Sequence, residues 1–212
     1  MQRNDVVVYM KQYERNKKVK ELLKKINPLL VQNETNIKVH LEALVNHLIT
    51  EDEFQAIETK MQLGKLCLDL EKEIDEGYVT MLFYCQKENK IYHGAAPSFC
   101  LEFFDFFQDI NRTNMFDTHC GSCGYAVHQR KAVVTDIEKS PLWEPFREQI
   151  GQWGFQTGWS IPFFMENEVI GTFAIYFKYQ KEVTESELRL VERKVYEYQE
   201  VIHQMAKQLV VN

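Results

Sequence analysis

The residue types able to do chemistry concentrate in His119-Cys120-Gly121-Ser122-Cys123-Gly124. A C-x-x-C pair supplies two metal ligands, whereas structural zinc needs four. His93, His119 and His128 could add to the pair, but the chain has no second C-x-x-C, so no metal is expected. Cys120 and Cys123 could also form a redox dithiol, and a helix N-terminus would lower the pKa of Cys123. The βαβ setting of a thioredoxin-like motif is missing around them. No Ser/His/Asp set, P-loop or paired carboxylates stand out, and no cofactor is expected.

A second kind of chemistry needs no reactive side chain. A helix N-terminus presents unpaired N–H groups and a partial positive charge. Two helices are expected to start beside one sheet, after Ala95-Ala96-Pro97 and after Gly121-Ser122-Cys123. Proline is tolerated at a helix start. Two such starts converging would bind a small anion without lysine or arginine. Arg112 and Arg130 are the nearest guanidinium groups in sequence, and neither lies within these turns.

The elements that must position these turns follow in order. Asp5 to Ile26 reads as a helix with late lysines (Lys17, Lys18, Lys20, Lys24, Lys25), a solvated end that suits the helix dipole. Asn27-Pro28 ends it. Asn36 to Ile49 is a second helix with Ile37, Leu41, Leu44, Val45 and Leu48 on one face. Thr50 and Glu53 form a capping box for a third, running to about Asp75 and stopped by Gly77. Strands are expected at Tyr78–Gln86 and Lys90–Gly94, the first apolar on both faces and therefore central. A helix from Pro97 carries Phe103, Phe104, Phe106 and Phe107, and an irregular loop runs from Asn111 to His119. Gly121–Gly124 opens a short helix to about Gln129. Ala132 to Ile137 is an apolar run in which Asp136 ties the loop before Ser140. Gly158–Met165 and Val169–Lys178 form a hairpin with the tip Glu166-Asn167-Glu168. Thr184 and Glu187 cap a last helix whose Leu188, Val191, Val195, Tyr198, Ile202, Met205 and Leu209 follow a heptad stripe. That stripe reads as a dimer seam or signal-carrying helix.

Five motifs stand in fixed order: Gly121–Ala126 (GSCGYA), Val134–Ile137 (VTDI), Pro141–Trp143 (PLW), Trp159–Pro162 (WSIP) and Val169–Tyr176 (VIGTFAIY). Together they resemble the GAF domain family of small-molecule sensors, over roughly Phe54 to Val191. The resemblance implies an α+β fold with a central antiparallel sheet flanked by helices. Here an N-terminal helical segment (1–50) and a C-terminal heptad helix (184–212) would flank a GAF domain (51–183). Within the family the chain is most similar to compact nitrate-receptor domains of bacterial two-component systems. That likeness implies an anion site at Ala95, Ala96, Ser122, Cys123 and Gly124, with Phe103, Tyr125, Trp143 and Trp159 as candidate walls. Taken singly, Trp143 and Trp159 read as core packing. Free methionine-sulfoxide reductases are also GAF proteins, with a cysteine where Cys123 stands, but they need partner cysteines in nearby loops. Between Asp136 and Trp159 this chain has none, leaving Cys100 and Cys120 as substitutes. The N-K-F-D-E signature of cyclic-nucleotide GAF domains is absent, and nothing specifies bilin attachment.

Composition narrows the function. The chain has 212 residues, 45% hydrophobic and 26% charged, with a net charge of −6. These are ordinary soluble values. The charge argues against a general nucleic-acid binder, and no apolar run is long enough to span a bilayer. The N-terminus lacks a secretory signal. Five cysteines, an odd number, suit reduced thiols in the cytoplasm. The expectation is a non-catalytic sensor module of bacterial signal transduction, homodimeric, taking a small ligand such as nitrate and acting on a histidine kinase or similar partner. The alternatives are a cysteine-dependent free methionine sulfoxide reductase and a structural dimerisation module.

Overall fold

A computed structural model describes residues 51–113 and 116–210. The helices expected at Asp5–Ile26 and Asn36–Ile49, and the Thr50 cap, lie outside the described residues. The described chain runs α1 (Glu51–Glu73), β1 (Tyr78–Cys85), β2 (Lys90–Ala95), α2 (Leu101–Thr113), α3 (Gly121–Gln129), β3 (Val133–Asp136), a 3-10 turn (Pro141–Trp143), α4 (Arg147–Gly151), β4 (Thr157–Met165), β5 (Glu168–Phe177), α5 (Glu185–Glu197) and α6 (Gln199–Val210).

The strands form one antiparallel sheet in the order β2-β1-β5-β4-β3. The sheet is covered on both faces, so its central strands are apolar throughout rather than alternating. Met81, Phe83, Trp159, Ile161, Phe173 and Ile175 point into a core made with α1, α5 and α6. Leu82, Ala174 and Tyr176 point the other way, into a second core under α2, α3 and the 140s segment. We call the latter the α3 face.

Several boundaries differ from the sequence expectation. α1 ends at Glu73, and Glu76 rather than Gly77 takes the left-handed conformation (φ 54°). The hairpin tip is two residues, because Met165 pairs with Glu168 and only Glu166 and Asn167 remain between them. α2 begins at Leu101, after the Ala96–Cys100 turn, so Ala95 and Ala96 do not open a helix. Glu71 holds that turn: its carboxylate accepts from Ser98 Oγ (2.6 Å) and from Val79 N (2.9 Å). Burial raises the Glu71 pKa, an effect its two hydrogen bonds only partly offset. α2 also continues into what was expected to be the loop from Asn111.

The long C-terminal helix is broken at Tyr198 into α5 and α6. The capping box at Thr184 and Glu187 is present. The heptad stripe is spent inside the domain: Val191, Ile202 and Met205 are core residues, and Leu188, Val195 and Tyr198 pack against them. Glu73 of α1 meets Arg193 (3.4 Å) and Lys194 (3.2 Å) of α5. The dimer seam expected on this stripe is therefore occupied by α1 and the sheet of the same chain, as far as the described residues reach.

Gly171 lies where β5 passes β1 and β4 most closely. A Cβ there would sit 2.3 Å from the Leu82 carbonyl oxygen and 2.3 Å from the Phe163 ring. Backbone on one side leaves no room to relax. Gly171→Ala is expected to lower unfolding stability by about 2 kcal/mol, read from the midpoint of urea denaturation.

Candidate functional site

Period-two alternation decides which strand residues reach the α3 face. Ser160 of β4 and Tyr176 of β5 point there, as does Thr80 of β1, which stands directly opposite Ala174. Trp159 lies between two such positions and so belongs to the opposite core. Its assignment as a wall of the site is corrected by this parity. Ala95 is also in the opposite core, where its carbonyl accepts from Cys67 Sγ.

α3 lies across this face. Cys120 occupies its N-cap without a side-chain cap bond. Gly124 is a packing residue, because a Cβ there would sit 1.9 Å from the Asp117 carbonyl oxygen. Tyr125 is only partly buried and stacks under Lys131 Nζ at 5.6 Å, so it is not a wall. Ser122 and Cys123 do reach the sheet. Ser160 Oγ donates to Ser122 Oγ (2.8 Å) and lies 3.5 Å from Cys123 Sγ. Cys123 Sγ is 3.9 Å from the Tyr176 hydroxyl. All four side chains are buried.

The 3-10 turn delivers Trp143. Its ring fills a notch between two glycines, and a Cβ at Gly121 or Gly158 would come within 2.6 and 2.7 Å of it. Nε1 donates to Thr135 Oγ1 (2.8 Å), which donates in turn to the Gly158 carbonyl (3.0 Å). Asp136 fixes the approach to this turn as expected, its carboxylate accepting from the N–H groups of Glu138 and Lys139. Aromatic rings close the rest. Tyr176 has Phe155 at 5.1 Å, Phe103 at 5.7 Å, Phe99 at 5.8 Å and Trp143 at 6.2 Å. Ala96 lines the same core. Of the residues expected at the site, the fold thus gathers Ala96, Phe103, Ser122, Cys123 and Trp143.

Thr80, Thr135, Ser160 and Tyr176 were missed as site residues. Ser160 and Tyr176 were legible as motif letters, and strand parity could have assigned them to this face. Thr80 gave no signal of its own.

The electrostatics are those of a buried polar cluster. Burial raises the pKa of Cys123, against weaker opposing bonds from Ser160, Tyr176 and Ser122. Burial, then Cys123 and Asp117, pushes Cys120 well above the ordinary thiol value. Burial and Cys123 push Tyr176 up as well. All three groups stay protonated at neutral pH. The Thr80 hydroxyl is buried without a hydrogen-bond partner, and the Tyr176 hydroxyl has only the distant sulfur. Unpaired buried hydroxyls are costly, on the order of 1–3 kcal/mol each. Such groups suit a ligand that brings hydrogen bonds with it.

His93 stands on β2 opposite Leu82, with its ring 4.3 Å from that of Phe104. Its Nε2 is buried and unpartnered. Burial, reinforced by the charge of Lys60, lowers its pKa from 6.5 to about 3. His119 and His128 are engaged elsewhere, His119 Nδ1 beside Thr118 Oγ1 and His128 Nδ1 beside the Gly124 carbonyl. Among the described residues, no three His, Cys, Asp or Glu side chains come together to hold a metal. No helix there is long and apolar enough to cross a membrane.

Against this geometry, a family model described as "GAF domain" matches residues 58–203. The fold is similar to the GAF domain region of a putative membrane protein from Geobacter sulfurreducens PCA, at 12% identity and a TM-score of 0.54, covering 73% of this chain and 99% of that one. It is similar to a type II free methionine-R-sulfoxide reductase from Thermoplasma acidophilum, at 14% identity and a TM-score of 0.51, covering 70% and 95%. A domain of a putative two-component sensor histidine kinase protein from Sinorhizobium meliloti 1021 matches at 12% identity and a TM-score of 0.50, covering 70% and 94%. A comparison with curated proteins gave no match.

Two outcomes follow from the site. Cys100 is the one exposed thiol of the five. Ellman's reagent at pH 8 should modify it quickly and the other four slower by on the order of 100-fold, and Cys100→Ser should remove the fast phase. Second, His93 is neutral when folded but takes a proton near pH 6.5 when unfolded. Its contribution to stability is complete above pH 6.5 and is lost as pH falls toward 3. Between pH 7 and pH 5 the loss should be about 1–2 kcal/mol, and His93→Gln should flatten that part of the denaturation profile.

Proposed function

Because the chain belongs to the GAF domain family, we propose that it is a non-catalytic sensor module that binds a small molecule on the α3 face and passes its occupancy to a signalling partner. The observation that carries this reading is the pair of under-satisfied buried hydroxyls, Thr80 Oγ1 and Tyr176 OH, on the face of the sheet that also carries the Ser122–Ser160 hydrogen bond. A ligand accepting or donating there would recover the hydrogen bonds that folding left unmade. Buried, protonated thiols at Cys120 and Cys123 are poor nucleophiles and support a binding role.

The ligand is small and carries at most one negative charge. No lysine or arginine among the described residues contacts Ser122, Cys123, Ser160 or Tyr176, and a phosphate would call for a guanidinium fork. Nitrate, the anion implied by the sequence resemblance, is the first candidate, bound by the amides of α3's first turn and by these hydroxyls. α2 begins too late to supply a second set of amides at Ala95 and Ala96. The Trp143 ring lies against Gly121 at the start of α3, so entry requires that ring to move. The similar domain in a sensor histidine kinase protein supports a kinase as the class of partner.

Calorimetric titration with nitrate, nitrite and chloride tests the reading. One of the three should bind, quench Trp143 fluorescence and bind at least threefold more weakly to Thr80→Val. If none binds the folded protein, the anion is wrong and neutral organic ligands become the candidates. The reductase alternative, an activity that the similarly folded Thermoplasma protein has, predicts something different. Thioredoxin-coupled NADPH consumption with free methionine sulfoxide, abolished by Cys123→Ser, would overturn a non-catalytic role. We expect none.

A further inference from the structure

A cleft of about 430 Å³ lies between α2 and the segment from Pro145 to Trp153. Glu102, Asp105, Phe106 and Asp109 line it from one face of α2, at i, i+3, i+4 and i+7. Trp153, just after α4, lines it from across. Phe106 and Trp153 are only half-buried, whereas Phe146 and Ile110 are buried and close the bottom. The rings meet at steep angles: Phe106 is 5.4 Å from Phe146 at 81° and 6.1 Å from Trp153 at 65°. Rings so inclined form a corner rather than a flat stack. The cleft is separate from the polar cluster, because Phe103 stands between them, 5.2 Å from Trp153 and 5.7 Å from Tyr176.

Charge in the cleft is one-sided. Asp109 is offset by Arg112 at 2.9 Å. Glu102 and Asp105 have no cationic partner among the described residues, and Arg147 of α4 is turned toward the carbonyls of Ile137 and Ser140. The carboxylates alone would attract any cation, so the rings make the choice. A primary ammonium is a compact, strongly hydrated charge with three hydrogen bonds to satisfy. Carbon walls offer it little. A fully alkylated ammonium has no N–H to satisfy, packs its methyl groups on carbon, and is drawn to the faces of aromatic rings. The cleft is also of the size that holds a small organic molecule.

We propose that this cleft binds a small, free quaternary ammonium compound. Its methyl groups rest in the corner made by Phe106 and Trp153, and its charge lies beside Asp105 and Glu102. This is a second site, independent of the one on the α3 face and of opposite charge preference.

The test is titration of the full chain with choline at millimolar concentration, read by saturation transfer to its methyl protons in NMR. Binding should saturate. Its uncharged isostere 3,3-dimethylbutan-1-ol, and methylammonium, which lacks the extra methyl groups, should each bind about fivefold more weakly or worse. Trp153→Leu and Asp105→Asn should each weaken choline binding about threefold or more. Asp105 is exposed, so its variant keeps the fold and tests the charge alone. Absence of saturable choline binding, equal binding of either analogue, or unchanged affinity in the Asp105 variant would overturn the proposal. So would pelleting of the protein with phosphatidylcholine vesicles without binding of free choline, which would assign the cleft to a lipid headgroup at a membrane surface.

Discussion

The indole of Trp143 fixes this domain's α3 face. It enters a notch that exists because positions 121 and 158 lack side chains, and its single N–H is satisfied inside the protein by Thr135. One ring thereby joins three separate elements: the first turn of α3, the β3–β4 edge of the sheet, and the 3-10 turn itself. The position of Ser122 and Cys123 over Ser160 and Tyr176 depends on that joint. A ring with a polar tip can serve this way only where both its flat surface and its N–H find partners.

Around this joint the two faces of the sheet have different physical characters. The face under α1, α5 and α6 is close-packed hydrocarbon, and the C-terminal heptad stripe is part of it. The α3 face mixes aromatic rings with hydroxyls and thiols that are buried but weakly bonded. Burial keeps Cys120, Cys123 and Tyr176 in their neutral forms. The cluster is therefore a set of buried hydrogen-bonding groups without charge. Covalent chemistry at Cys123 would require its thiolate, which burial disfavours.

The three structural relatives share the fold at identities of 12–14%, and among them are both a reductase and a sensor kinase domain. At that distance the shared sheet and helices carry no information about chemistry, so function is argued from the side chains of this site. The exposed cysteine of this chain, Cys100, lies in the turn before α2, next to Phe99, whose ring is 5.8 Å from Tyr176.

Much of the architecture was readable from local signals. The apolar β-branched run of β5, the capping box at Thr184 and the ordered motifs from Gly121 to Tyr176 depend on neighbours in sequence. So did the central position of β1, given by its two apolar faces. The candidate site was legible in part, through Ser122, Cys123, Phe103 and Trp143. What the sequence could not supply was the face to which a residue belongs once both faces are apolar. Trp159 and Tyr176 look alike as aromatic letters in neighbouring strands, yet parity within the sheet sends one into hydrocarbon and the other to the polar cluster. In the same way, Pro97 is a sound local helix start, but Glu71 draws Ser98 into a turn and delays the helix to Leu101. The heptad stripe fits a partner helix as well as it fits the chain's own core. A periodic pattern specifies that a face must be buried and does not say against what, so only the tertiary structure could decide.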